Sequence, residues 1–214
     1  MHKLVQTTKD IHRYELEETT KNVRELFLDF CKEMSKEILP GFSSMLSLSE
    51  KYSEFKRKSF ILNCQKFVKS LTVSNEEIES FFDDLSEEQE KWLVTFVLDS
   101  LYEDDEEKCQ IYGYLFKELV QTKDIVTYRR LIRSVKATFI EDLSLLKHYK
   151  KGYVDSSEIG QVLSNVGLVR EVRYSVGIFG GEDIEQKSVK YELTDLGEQL
   201  LEILEINKWG SLKL

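Results

Sequence analysis

Apolar side chains recur every three or four positions along most of the chain, which is the spacing of amphipathic α-helices. This pattern predicts helices over about residues 15–39, 45–71, 86–102 and 124–149, and another around residues 111–120. In the 124–149 helix, the expected buried side chains are Leu131, Ile132, Val135, Phe139, Leu143 and Leu146.

Four polar residues have the positions of helix N-caps. Ser74 stands three residues before Glu77, and Ser86 stands three before Gln89, so both pairs are typical of capping boxes. Asp124 and Thr194 directly precede apolar periodic segments, and we expect their side chains to cap the helices that follow.

The pattern changes after residue 150. A short helix over about 156–166 is expected to end at Gly167, because glycine is common just after a helix C-terminus. Apolar and polar residues then alternate on both sides of the Gly180-Gly181 pair, which predicts a β-hairpin with a polar tip. The predicted fold class is therefore mainly α: a multi-helix, acidic N-terminal domain over 1–123 and a C-terminal domain over 124–214 with one β-hairpin.

The stretch from Tyr191 to Leu201 has Leu193, Thr194 and Gly197 at a spacing that resembles the end of winged-helix domains, where the wing leads into the final helix. The order of short helix, glycine, hairpin and helix before it agrees with this resemblance. It implies a winged-helix-like C-terminal module, which in other proteins often binds DNA.

A wider resemblance covers about residues 110–205, through the segments 119–122, 127–147 and 163–168 and the stretch that begins at Tyr191. These segments resemble the alpha-type abortive-infection family of bacterial phage-defence proteins. The resemblance implies helices joined to such a C-terminal module, and a bacterial defence role. It implies no catalytic residues.

Charge is distributed unevenly along the chain. The formal net charge is −9, and this opposes non-specific coating of nucleic acid by the whole surface. Residues 125–190 nevertheless carry 11 basic and 8 acidic side chains, whereas residues 1–124 carry 17 and 26. The basic residues of a candidate nucleic-acid or partner-binding face are Arg129, Arg130, Arg133, Lys136, Lys150, Lys151, Arg170, Arg173, Lys187 and Lys190.

Three hypotheses follow for the basic face and the adjoining hairpin tip. The basic face can be a solvated face balanced by the acidic N-terminal helices, and its charge then governs domain docking or partner choice. It can be a DNA-binding face, although the helix that would enter the groove offers only Ser157, Gln161, Ser164 and Asn165 as base readers. A third interpretation is a Mg²⁺-dependent nuclease at the hairpin tip, with Glu182, Asp183, Glu185 and Lys187.

Signals for most enzyme classes are absent from the sequence. His2, His12 and His148 do not have the spacing of helical zinc or di-iron sites, and no phosphate-binding loop, dinucleotide fingerprint or nucleophile elbow occurs. We therefore expect a non-enzymatic protein with no cofactor and no bound metal.

Cys31, Cys64 and Cys109 lie far apart on helical patterns and are expected to be reduced, buried thiols. No segment has the length and apolarity of a membrane span, and the N-terminus lacks the apolar core of a signal peptide. The leading prediction is a cytoplasmic regulatory or phage-defence protein that binds another macromolecule, most simply a protein, with homodimerisation as a further expectation and no membrane partner.

Overall fold

The computed structural model describes residues 27, 28, 31, 48–103, 105–151, 158–176 and 186–209. These residues are mainly helical, with one small antiparallel sheet, as predicted. In chain order the elements are α1 (Leu48–Leu71), α2 (Asn75–Asp83), α3 (Glu87–Glu103), α4 (Glu106–Thr122), α5 (Ile125–Ala137), α6 (Ile140–Ser144), the 3-10 helix η1 (Leu146–Lys151), α7 (Glu158–Asn165), β1 (Val169–Val176), β2 (Gln186–Leu193) and α8 (Asp195–Ile206).

Helix α4 lies at the centre of the fold. It packs most extensively against α1, and it also contacts α2, α3, α5 and α8. At its crossing with α1, a Cβ added to Gly113 would lie 2.4 Å from the carbonyl oxygen of Phe67. Glycine is therefore needed at residue 113, because only a residue without a side chain lets the two backbones approach this closely.

Phe116 of α4 joins several elements through aromatic contacts. Its ring centroid lies 5.4 Å from that of Phe27, 5.8 Å from Phe67, 6.2 Å from Phe81 and 6.3 Å from Tyr128. Most of these pairs are edge-to-face, which is a favourable arrangement of aromatic rings. The aromatic cluster thus ties α1, α2 and α5, and the helical residue Phe27, to the central helix.

The predicted helix caps are confirmed. Ser74 and Ser86 each form a reciprocal capping box, in which both the backbone N–H of the serine and that of the third residue after it donate to a side-chain oxygen. The Asp124 carboxylate accepts from the N–H of Thr127 at 3.0 Å, and the Thr194 hydroxyl accepts from that of Gly197 at 3.1 Å. These local hydrogen bonds satisfy N–H groups that have no partner within their own helix.

The prediction of one helix over 124–149 is wrong. Helix α5 ends at Ala137, and Thr138 has extended backbone angles (φ −112°, ψ 142°). The buried Thr138 hydroxyl donates to the carbonyl of Ser134 at 2.7 Å, and the Thr138 N–H donates to Val135, so the last turn of α5 closes on itself. The chain then restarts as α6 and η1. Phe139, which was expected in the core, has a 74% exposed side chain.

The predicted hairpin and its flanking helices are confirmed. Gly167 follows α7 with φ +79°, and the two strands pair antiparallel in the register Val169 to Leu193. The start of α8 lies against the start of β1, since a Cβ added to Gly197 would lie 1.9 Å from the carbonyl oxygen of Leu168. The predicted glycine turn at 180–181 lies outside the described residues.

The buried apolar residues form one continuous cluster from Phe27 to Leu204. The division into domains at residues 123 and 124 stays a prediction. All three cysteines are buried and free of disulfides, as expected. Burial raises the pKa of the Cys31 thiol to about 12 and also raises that of Cys64.

No described helix is long and apolar enough to span a bilayer.

Candidate interaction surface

Helix α5 exposes one narrow face to solvent. Val126, Arg130, Arg133 and Ala137 are all exposed and are spaced four, three and four residues apart, so they share one side of the helix. The side chain of Val126 is 61% exposed. We call these four residues the exposed stripe of α5.

Two other basic residues of α5 turn towards α3. The guanidinium carbon of Arg129 lies 3.9 Å from the ring centroid of Trp92, and the Lys136 ammonium lies 5.7 Å from that of Phe96. Trp92 and Phe96 stack on each other with their centroids 5.4 Å apart. Arg129 and Lys136, although predicted as site residues, thus hold α5 against α3 through cation–π contacts.

Phe139 extends the exposed stripe beyond the end of α5. It follows Ala137 by two residues, so its Cα lies within roughly 7 Å of the last stripe residue. It occupies the N-cap position of α6 without making a side-chain capping bond. A large exposed aromatic ring beside exposed arginines is the composition typical of protein-binding hot spots.

Three basic residues predicted on the hairpin, Arg170, Arg173 and Lys190, are paired with carboxylates of the two strands. Glu192 accepts salt bridges from Arg170 at 3.6 Å and from Lys190 at 3.2 Å, and Arg173 is paired with Glu171. The hydrogen bond to Glu171 raises the pKa of Arg173. Nearby carboxylates therefore offset much of the positive charge that the sequence places on the hairpin.

The other predicted basic residues are distributed as follows. Lys150 forms a salt bridge with Glu205 of α8 at 3.0 Å. Lys151 ends η1 and Lys187 lies in β2 opposite Ser175, and the side chains of both lie outside the description. Among the described side chains, Arg130 and Arg133 make neither a salt bridge nor a ring contact, so of the predicted face they are the cations most available to a partner.

A groove of about 220 Å³ lies between α4, α5 and α8. Its walls include the apolar side chains Leu119, Ile203 and Ile206, and Ile206 is 68% exposed. Three carboxylates, those of Glu118, Asp124 and Glu202, also line it. The sequence patterns did not reveal this groove, because it combines residues of three helices that are distant along the chain. We call it the α4–α5–α8 groove.

Within the described part of the chain, no group of three or more histidine, cysteine, aspartate or glutamate side chains is arranged to hold a metal ion. Of the hairpin-tip residues suggested for a nuclease, Glu182, Asp183 and Glu185 lie outside the described residues.

Comparison of the chain with models of known protein families, with curated proteins and with solved structures finds no match.

Proposed function

We propose that this protein acts by binding another protein through the exposed stripe of α5 together with Phe139. The observation that carries the proposal is the exposure of Phe139, which is 74% accessible to solvent and follows the end of the exposed stripe of α5 by two residues. Burying an aromatic ring against a partner stabilises a complex strongly, and arginine adds directional hydrogen bonds at the edge of the contact.

The element order supports a scaffold for this surface that resembles a winged helix over residues 124–214. Helix α7 packs on β1, the two strands form the wing, and α8 returns to α4 and α5. In this proposal the wing is structural, since Arg170, Arg173 and Lys190 are paired with carboxylates. A regulatory or phage-defence role for the binding is supported by the resemblance of residues 110–205 to abortive-infection proteins.

Site-specific photo-cross-linking tests the proposal. A benzophenone amino acid introduced at Phe139 is expected to give a discrete cross-linked protein product in cells, because the ring is part of the proposed contact. The same group at the exposed Glu87 of α3 is the matched control and is expected to give none.

The double variant Arg130→Glu, Arg133→Glu adds a second arm. It reverses the charge of the stripe without touching a buried residue, and it should abolish the product formed from position 139. Equal cross-linking from residues 139 and 87 would contradict the proposal.

DNA binding is a second candidate function, favoured by the position of α7 directly before the hairpin. Helix α7 exposes Gln161, and Asn165 at its C-terminal end is exposed as well. Both side chains can read base edges, yet α7 has no arginine or lysine to anchor it on phosphate.

Fluorescence anisotropy of a labelled mixed-sequence duplex separates the two functions. If protein binding is the function, the wild-type protein binds the duplex weakly at low salt and not measurably at physiological salt. Tight binding with a steep salt dependence, lost in Arg130→Glu, Arg133→Glu, would favour the DNA-binding function instead.

A further inference from the structure

We infer that the α4–α5–α8 groove binds Phe139 and the exposed stripe of α5 from a second copy of this chain, so that the protein self-associates head to tail. This inference rests on the proposed function, because it names a partner for the same surface.

The two surfaces have opposite charge. Glu118, Asp124 and Glu202 line the groove, whereas Arg130 and Arg133 lie on the stripe. Hydrogen bonds from Thr127 lower the pKa of Asp124, and the charge of Arg130 in the same copy contributes to a smaller extent, so its carboxylate is ionised at neutral pH and partly compensated within the chain.

The nearest lysine along the chain does not cancel this charge. The ammonium of Lys123 forms its salt bridge with Asp84, outside the groove. The groove therefore keeps the negative charge of Glu118 and Glu202, and the charge of the stripe on another copy is complementary to it.

The groove has the size of an aromatic side chain. Its volume is about 220 Å³, and a protein cavity of about 150 Å³ already accommodates benzene. The groove lies below the roughly 300 Å³ at which pockets for drug-sized ligands begin. Its apolar wall, with Leu119, Ile203 and the exposed Ile206, suits the ring of Phe139.

The two surfaces lie on neighbouring faces of α5, because Thr127, which lines the groove, directly follows the stripe residue Val126, and the charge of Arg130 reaches Asp124. Leu131 lines the groove and follows the stripe residue Val126 by five positions, which corresponds to roughly 140° around a helix. No residue of the stripe lines the groove, so the two are distinct surfaces. Such an interface between unlike surfaces joins copies head to tail and leaves a free surface at each end.

Sedimentation velocity over a range of protein concentrations at low salt tests this inference. The wild-type chain is expected to exceed its monomer mass of 25.2 kDa as concentration rises, and to return towards it in high salt because salt screens the charge pairs. The groove variant Glu118→Lys, Glu202→Lys and the stripe variant Arg130→Glu, Arg133→Glu should each weaken self-association at least about tenfold.

Mixing the two variants is the decisive experiment. Each keeps one intact surface, so an equimolar mixture should form a one-to-one dimer that grows no further. Phe139→Ser, which changes no charge, should behave like the stripe variant. Circular dichroism and thermal unfolding of each variant check that it is folded.

Two results would overturn self-association: a wild-type protein that stays at the monomer mass at every concentration, or a mixture of the variants that stays monomeric. If position 139 still cross-links to a different protein, the proposed function stands without a second copy as partner. If position 139 cross-links to nothing, both proposals fail.

Discussion

Helix α5 and the β-hairpin both carry basic side chains that the sequence singles out, but these side chains make different contacts in the two elements. On the hairpin, Glu192 forms salt bridges with both Arg170 and Lys190, so their positive charge is offset by a carboxylate within the hairpin. On α5, Arg129 packs on an aromatic ring of α3, while Arg130 lies exposed one residue later.

The difference shows that a net charge counted along a segment does not identify a binding face. Carboxylates across a strand pair cancel basic residues, and the helical period separates neighbouring arginines into packing and exposed positions. What is left for a partner is a small set of cations beside exposed apolar groups.

The largest effect is expected where the hairpin joins α8. In Gly197→Ala the new Cβ would meet the Leu168 carbonyl oxygen at 1.9 Å, and neither backbone can move away without separating β1 from α8. We expect the free energy of unfolding to fall by about 3 kcal/mol, measured by urea denaturation. A loss as small as that of Gly167→Asn, a residue with open space around it and an expected cost below about 1 kcal/mol, would contradict the close approach.

A smaller effect is expected where α5 is held against α3. Arg129→Ala removes the guanidinium that lies 3.9 Å from the Trp92 ring centroid, together with its apolar stem. We expect a loss of about 1.5 kcal/mol of unfolding free energy, against a change within about 0.5 kcal/mol for Arg133→Ala on the exposed stripe. Equal losses in the two variants would show that the two arginines have the same role, and the distinction within α5 would be lost.

The sequence predicted those features that depend on neighbouring residues. The caps at Ser74, Ser86, Asp124 and Thr194 follow from side-chain oxygens that reach the next turn of backbone, and the hairpin follows from alternation. The end of α5 was missed because Thr138 stops the helix through a hydroxyl bond to Ser134, with neither proline nor glycine present.

The site was predicted only in part, for a similar reason. Arg130 and Arg133 belong to the predicted basic face, but the exposure of Phe139 depends on the helix break that periodicity did not show. The α4–α5–α8 groove and the cross-strand partner of Arg170 depend on which elements meet in space. The hydrophobic period of a helix or strand specifies which of its faces is apolar, but it does not specify which other element packs against that face.

The buried side of α5 offers a stabilising change. The Tyr128 hydroxyl is buried and has no hydrogen-bond partner within the described structure. Tyr128→Phe removes this uncompensated polar group while keeping the ring that contacts Phe116, so we expect a gain of about 1 kcal/mol at pH 7. A loss of stability would mean that the hydroxyl is satisfied.

The same variant has a predicted pH dependence. Burial raises the pKa of Tyr128 in the folded chain, whereas an unfolded tyrosine ionises near pH 10, at about its ordinary pKa. Above that pH, ionisation of this tyrosine stabilises the unfolded state. The free energy of unfolding of the wild-type protein therefore falls by up to about 1.4 kcal/mol per pH unit through this residue. Tyr128→Phe lacks this component, and its advantage in denaturation experiments should grow between about pH 10 and pH 11.

The smallest effect on stability is expected on the hairpin, where one substitution makes it resemble the exposed stripe. Glu192→Gln removes the carboxylate that Arg170 and Lys190 share. The pairs are partly exposed, so unfolding free energy should change by about 0.5 kcal/mol or less.

Binding of a labelled duplex to Glu192→Gln at low salt should nevertheless become tighter than for the wild-type protein. The slope of log affinity against log salt should steepen by up to about two, one for each cation released to phosphate. The control Lys190→Gln, on the same strand as Glu192, removes a cation and leaves the carboxylate, so it should not tighten binding. If Glu192→Gln leaves affinity and slope unchanged, the hairpin cations are not masked by Glu192, and the contrast between hairpin and α5 has another cause.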